Sequence, residues 1–259
     1  MLKALVFDVD GTLADTEDTH RAAYNAAFAV HNLPWYWSHS RYARLLTIGG
    51  GQARLRYFIR TLRLAPREQA RLQRLVLELH ETKTCLYAAY VAQGRVPLRT
   101  GVARLISEAR AAGIALALAS STAPSNVEAL LATNLGRSAR SWFSVIAGGN
   151  AGARRKPAPD IFEFTVRALG LPAARCVAFE DSAHGIAAAT AAGIYTVATP
   201  SSWGAGQVFS AAQLVLAHLG DPTTPLAAPA AIQIGAPYLG VLALARLQRG
   251  WLQRQARLH

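Results

Sequence analysis

The residues most able to do chemistry stand near the start of the chain. Asp8-Val9-Asp10-Gly11-Thr12 follows directly on the apolar run Ala4-Leu5-Val6-Phe7. A run of that length and composition is expected to form a buried parallel strand. Side chains alternate along an extended backbone, so Asp8 and Asp10 project to the same side at the strand's carboxyl end. Gly11 lets the chain turn away there. Ligand sites of open α/β sheets lie at that end. Two carboxylates held this close share a cation, a proton or both. A calcium loop fails on spacing: with Asp8 at its first position, the required Gly would fall on Leu13 and the bidentate Glu on Thr19. A solvated Asp-Gly turn leaves unexplained why a buried strand runs straight into two charges. The context of the motif favours catalysis.

Three more groups fall at or after predicted strand ends: Ser120 (followed by Ser121 and Thr122), Lys156, and Glu180 with Asp181. Carboxylates from two strands suit a hard cation that keeps several waters, which means Mg²⁺, with Asp8, Asp10, Glu180 and Asp181 as its candidate ligands. A hydroxyl and a lysine facing that cation make a pocket for a phosphoryl group. Taken singly, Ser120 reads as a helix N-cap, Lys156 as a surface charge and Glu180-Asp181 as the acidic start of a helix. Four strand ends pointing to one chemistry outweigh those separate readings.

The elements that must position these groups alternate. Helical pattern at 101–112, 124–135, 159–169 and 185–192 separates predicted strands at 114–119, 143–147, 176–179 and 195–198, with a last short strand at 214–216. This order implies an α/β fold with a doubly wound parallel sheet. Between Asp15 and about Gln93 the pattern is helical throughout. A first helix over 17–31 ends at Leu33-Pro-Trp-Tyr-Trp37. Short helices are expected near Tyr42 and from Gln52 to Leu64, on either side of the Gly49-Gly50-Gly51 loop. A long helix opens at Ala65-Pro66 with Leu72, Leu75, Val76 and Leu79 on one stripe. The expected organisation is a core of 1–15 and 95–221, an inserted all-helical cap over 16–94, and a Pro/Ala-rich linker from 222. A possible amphipathic helix spans Tyr238 to His259, with Leu244, Leu247, Trp251 and Leu258 on one side; docking on the core or disorder is expected ahead of binding to a membrane surface or a partner.

Bulk properties narrow the classes. The chain has 259 residues, 52% of them hydrophobic and 16% charged, a globular composition poor in charge. It contains no apolar run long enough to cross a bilayer. A cleaved N-terminal signal is not expected, because its removal would take Asp8 and Asp10 with it. Cys85 and Cys176 lack metal-like spacing and read as packing residues of a reduced, cytoplasmic protein. The net charge of +12 suits anionic partners such as phosphate esters. Its cations are mostly arginines scattered along helices rather than gathered in one arm, so nucleic acid is not an expected partner.

Taken together, Asp8-Val-Asp-Gly-Thr12, Ser120 after an apolar strand, Lys156 and Glu180-Asp181 resemble the four motifs of the haloacid dehalogenase (HAD) superfamily. Helices inserted directly after the first motif resemble its C1-capped phosphatases and phosphomutases. The resemblance runs from about residue 2 to about residue 221. It is strongest to the CbbY-like xylulose-1,5-bisphosphate phosphatases, through Thr12-Leu-Ala-Asp-Thr16, Trp35-Tyr-Trp37, Tyr42 to Gly51, Asn126-Val-Glu-Ala-Leu130, Lys156-Pro-Ala-Pro-Asp160 and Phe179-Glu-Asp-Ser182.

The resemblance implies a Rossmann-like core and a Mg²⁺-dependent sugar-phosphate phosphatase linked to the Calvin cycle; a monomer is expected. It implies Asp8 as nucleophile and Asp10 as acid and base. The metal would sit on Asp8, the Asp10 carbonyl and Asp181, and Lys156 and Ser120 would hold phosphoryl oxygens. Ser121, Thr122, Tyr42, Arg54 and His20 would bind substrate, although His20 reads equally as an ordinary surface histidine. The chain departs from the pattern where a Thr-Gly-Gly-Lys-type cap loop is expected: Gly49-Gly50-Gly51-Gln52 lacks the hydroxyl and the lysine, and Arg54 is the nearby cation that remains. Asn150, Ala151, Gly152 and His184 also depart. Two other readings stay open on the sequence, a sugar phosphomutase of the β-phosphoglucomutase type and a non-catalytic relative that binds phosphosugars or nucleic acid.

Overall fold

A computed structural model describes residues 1–148, 151, 154–204 and 206–257. The strands β1 (Ala4–Phe7), β2 (Ala115–Ala119), β3 (Phe143–Ala147), β4 (Cys176–Glu180), β5 (Tyr195–Ala198) and β6 (Leu214–Val215) form one sheet in the order β3-β2-β1-β4-β5-β6. Every pairing is parallel, and β1 lies between β2 and β4 with Phe7 opposite Leu118 and Phe179. The order reverses at β1: the chain winds outward through β2 to β3, then returns to β4 on the other side. Ligands of doubly wound sheets bind at such a switch point, outside the carboxyl ends of the strands.

Both faces of the sheet are covered, which is why its strands read as continuous apolar runs rather than alternating ones. On one face Ala4, Val6, Ala117, Ala119, Cys176 and Ala178 pack against Ile161 and Phe162 of α8 (Asp160–Ala168) and against Ala188 and Ala189 of α9 (Ala183–Ala191). Small strand side chains let these helices approach closely. The helix α6 (Val102–Ala111) packs against β2, and α7 (Pro124–Leu135) opens with Pro in its first turn, where the missing N–H costs nothing.

The chain divides into two compact units, Met1–Asp15 with Pro97–His259, and Thr16–Val96. The second is helical: α1 (Glu17–Val30), α2 (His39–Leu45), α3 (Gly51–Thr61), α4 (Pro66–Arg74) and α5 (Val76–Ala92). Its core is aromatic. Trp37 is fully buried among Tyr24, Phe28, Tyr42 and Phe58, at ring-centroid distances of 4.6, 5.0, 5.9 and 5.3 Å. Asn25 accepts from the Trp37 N–H and donates to its carbonyl, which fixes the extended segment that carries it. The single long helix expected from Ala65 is two helices interrupted at Leu75. Leu72, Val76 and Leu79 keep one buried stripe across the break, because the interruption is a single residue in helical conformation.

Beyond Asp221 the structure differs from a linker. The Asp221 side chain accepts from Thr223 and Thr224, closing a turn. Ala228–Ile234 forms α10, again with Pro in the first turn, and Val241–Ala256 forms α11. This segment docks on the sheet-bearing unit. Leu239 N–H donates to Leu219, Val241 N–H donates to Glu108, and Arg104 donates to the Leu239 carbonyl. The buried Gln248 amide donates to the Cys176 carbonyl at 2.8 Å, and Trp251 meets Tyr195 edge-on. Leu244 is fully buried and Leu247 partly so, as the amphipathic pattern predicts, whereas Leu258 lies outside the described residues. Among the described residues no helix is long and apolar enough to cross a membrane.

Two outcomes follow from this packing. Leu244→Ala should destabilise the protein by about 2–4 kcal/mol, measured by urea unfolding, because it opens a cavity beneath α11. Cys176 is buried and its thiol is pushed up to about 11 by that burial, whereas Cys85 is exposed. Native protein at about pH 8 should therefore titrate one thiol with a disulfide reagent, Cys176 reacting only after unfolding.

Candidate active site

At the carboxyl end of β1, Asp8 N–H donates to the Phe179 carbonyl of β4 at 3.0 Å, so the ladder continues one residue past the strand and brings Asp8 beside Glu180. Lys156, from the loop after β3, fills the space between them. Its ammonium donates to Asp8 Oδ1 at 2.7 Å, to Glu180 Oε1 at 2.5 Å and to the Ala119 carbonyl at 2.9 Å. A lysine ammonium has three protons, and these three acceptors take them all.

Burial pushes the Asp8 carboxyl up to about 7. Lys156 opposes that shift, while Glu180 and Asp10 add to it. For Lys156 burial alone would lower the value, but Asp8 and Glu180 outweigh it and hold the ammonium above its ordinary range. Two carboxylates thus face one cation, and a third stands beside them: atoms of Asp8, Glu180 and Asp181 lie within 4.8 Å of one another. A second cation at these oxygens would act on Asp8 in the same direction as Lys156. All the donors are hard oxygens, which suits Mg²⁺ rather than a softer metal.

The acids differ in their surroundings. Glu180 is 1% exposed; one oxygen takes Lys156 and the other takes the Asp181 N–H at 3.2 Å and the Ser182 hydroxyl at 3.4 Å. That makes Glu180 the anchor of Lys156. Asp181 is half-buried, and its Oδ2 accepts from Ser201 at 2.7 Å. Asp10 Oδ2 accepts from the Thr122 hydroxyl, which in turn lies 3.0 Å from the Ser120 hydroxyl. Ser120 is buried and tied by its N–H to the Ala147 carbonyl, whereas Ser121 beside it is exposed.

Two glycines make room for these acids. A Cβ on Gly11, whose φ of +83° already favours glycine, would lie 2.0 Å from Asp181 Oδ2. A Cβ on Gly185, in the first turn of α9, would lie 2.0 Å from the Glu180 carboxylate.

The sequence-predicted residues therefore fall into two groups. Asp8, Asp10, Ser120, Ser121, Thr122, Lys156, Glu180 and Asp181 belong to the sheet-bearing unit, while His20, Tyr42 and Arg54 belong to the helical unit. His20 is buried rather than a surface histidine: its ring stacks on Tyr87 at 3.9 Å, and its Nδ1 lies 2.9 Å from the Lys83 ammonium. Tyr42 is fully buried and donates to Glu17 at 2.7 Å. Arg54 donates to the Tyr42 hydroxyl at 3.0 Å and to the carbonyls of Leu45 and Ile48 at 3.1 and 3.4 Å. Its guanidinium holds the chain leading into Gly49-Gly50-Gly51. A Cβ on Gly51 would lie 2.5 Å from His80 and 2.6 Å from the Tyr24 hydroxyl, so close packing explains glycine there. Ala151 packs against the core and His184 is exposed on α9, while Asn150 and Gly152 lie outside the described residues.

Sequence reasoning missed Ser201 and Gly185. Ser201 stands three residues past β5 and carries the same signal as Ser120, a polar residue just beyond a strand end. Gly185 gives no such signal, since its importance lies in a contact across the fold.

The haloacid dehalogenase-like hydrolase family model matches residues 2–193. The plasmid CbbY protein of Cupriavidus necator is 46% identical over 225 residues, covering 87% of this chain and 89% of that protein. The crystal structure of CbbY from Rhodobacter sphaeroides in complex with phosphate is 40% identical, covers 84% of this chain and 95% of that one, and superposes with a TM-score of 0.76. A mutant of the same CbbY in complex with xylulose-(1,5)bisphosphate, also 40% identical, covers 86% and 98% with a TM-score of 0.77. The chain belongs to the haloacid dehalogenase-like hydrolases. Within them it is CbbY-like, and it is an enzyme of the phosphatase type.

Gly185→Ala tests the anchor. Its methyl group must displace the Glu180 carboxylate and loosen Lys156, so kcat should fall about 10- to 100-fold while circular dichroism shows an unchanged fold.

Proposed function

We propose that the chain hydrolyses a sugar phosphate in a Mg²⁺-dependent reaction through an aspartyl-phosphate on Asp8, with xylulose-1,5-bisphosphate as the leading substrate. The observation that carries the chemistry is Asp8 at the switch point, its Oδ1 held by Lys156 at 2.7 Å beside Asp10 and Asp181. The sugar is supported by the similarity to CbbY over most of both chains, including the form that binds the xylulose ester.

In this reading Asp8 attacks phosphorus and the sugar oxygen leaves. Asp10, oriented by Thr122, delivers a proton to that oxygen and later takes one from the hydrolytic water, which releases phosphate and restores Asp8. Lys156 keeps Asp8 ionised before attack and stabilises charge on the transferring group during it, with Glu180 holding the ammonium in place. Ser120 faces the same group and positions an oxygen. When bound on Asp8, Asp181 and the Asp10 carbonyl, Mg²⁺ would neutralise phosphoryl charge.

Recognition of the sugar is assigned to the helical unit, with His20 as its contacting residue. Tyr42 and Arg54 act one step back: their hydrogen bonds shape the chain leading into α3, whose first turn carries Gln52 where the resemblance implies a lysine. The site is proposed to work in a monomeric, cytoplasmic enzyme.

Phosphate release should be measured with Mg²⁺ across a panel of sugar mono- and bisphosphates, including xylulose-1,5-bisphosphate, ribulose-1,5-bisphosphate and phosphoglycolate. The expected outcome is preferential release from the xylulose ester, abolished by chelation and lowered at least about 10³-fold in Asp8→Asn. Release only from other esters would keep the chemistry and assign a new specificity. An isomeric sugar phosphate in place of free phosphate would mean a mutase. No release from any ester would sink the hydrolase mechanism.

A further inference from the structure

Arg99 stands at the start of the second crossing between the two units, where Leu98 pairs with Ala14 in an antiparallel bridge. Its side chain is only 10% exposed, and an arginine cannot shed its charge on burial. The acceptors that compensate it come from three separate parts of the chain. One terminal nitrogen donates to the Gly11 carbonyl and to the Thr199 carbonyl, the latter at 2.5 Å. The other donates to Pro200 at 2.9 Å and Ala217 at 3.0 Å. Nε lies 3.4 Å from the Asp15 carboxylate, and the Arg99 N–H donates to Leu13 at 2.8 Å. Only a planar fork with five donors reaches so many fixed carbonyls at once; a lysine ammonium has three protons radiating from one point.

The segments gathered in this way each bear on the site. Gly11 follows Asp10 in a turn closed on itself, with Gly11 N–H on the Ala14 carbonyl and both Thr12 and Leu13 N–H groups on Val9. A turn so tightly bonded moves as one piece, so the position of the Gly11 carbonyl determines where Asp10 points. Pro200 immediately precedes Ser201, whose hydroxyl holds Asp181. We propose that Arg99 is a positioning residue of this reaction: its guanidinium holds the turn carrying Asp10 in register with the loop that orients Asp181. The acid–base half of this inference rests on the role given to Asp10 above; the half concerning Asp181 rests on geometry alone.

A clamp that served only stability would lower the melting temperature and leave the folded enzyme unchanged. The experiment therefore compares folded Arg99→Lys with native enzyme for kcat, KM and Mg²⁺ affinity, the last by titration calorimetry without substrate. Expected are a fall in kcat of about 10- to 100-fold, a Mg²⁺ Kd raised about tenfold and KM changed less than about threefold. A recess of about 320 Å³ lined in part by Asp15, Thr100 and His218 adjoins the guanidinium, so a small cation can enter once the side chain is removed. Methylguanidinium should restore kcat to Arg99→Ala where methylammonium does not. Folded variants with kcat and Kd within about twofold of native would overturn the proposal. Should neither variant fold, Ser201→Ala decides it by deleting the hydroxyl on Asp181: an unchanged Mg²⁺ affinity refutes the link. If the native enzyme releases no phosphate, the hydrolase reading fails, and the Mg²⁺ affinities still judge Arg99.

Discussion

Everything at the site depends on one half-buried cation. Lys156 is held by Asp8, Glu180 and a backbone carbonyl, and its charge is what permits two acidic side chains to sit side by side beneath the sheet's edge. Without it, burial and the neighbouring carboxylates would drive a proton onto Asp8, which could then not act as the proposed nucleophile. A buried pair of opposite charges contributes little net stability by itself, so its retention is better explained by the orientation it imposes. The ammonium fixes Asp8 Oδ1, and that leaves the direction of the rest of the carboxylate determined as well.

The sheet topology makes this cation possible. Lys156 follows β3, at the edge of the sheet, yet reaches β1 and β4 across β2, which lies between β3 and β1 and offers its Ala119 carbonyl as a third acceptor. Small residues matter as much as charged ones here. Gly11 and Gly185 leave the volume in which the carboxylates of Asp181 and Glu180 stand, and the alanines of β1, β2 and β4 let α8 and α9 settle close to the sheet.

Local patterns were enough to read most of this fold and site from the chain. Ala4–Phe7, Phe143–Ala147 and Tyr195–Ala198 are continuous apolar runs bounded by polar residues, and such runs become buried strands wherever a parallel sheet is covered on both faces. The acids and the lysine were legible because each follows such a run. What escaped was non-local. That Arg54 is committed to carbonyls of its own unit depends on how α2 and α3 meet, and spacing does not encode that meeting. The break at Leu75 is too short to interrupt the apolar stripe from which a helix is inferred. Docking of α11 on the core was one reading of its pattern, but the strands it meets were equally hidden, because an amphipathic pattern states that a face will be covered without stating by what.

The docking of α11 separates two kinds of demand on the sequence. Its contacts reach Cys176 and Tyr195, the first residues of β4 and β5, whereas Glu180 ends β4 and the Ser201 loop follows β5. The same two strands are thus secured at one end by a helix and lead into the acidic site at the other. Strain from crowded carboxylates can be borne by packing that never meets the reaction. Drift in α11 would alter how much such strain the molecule tolerates, and through it how freely the loops around the acids can change over evolutionary time.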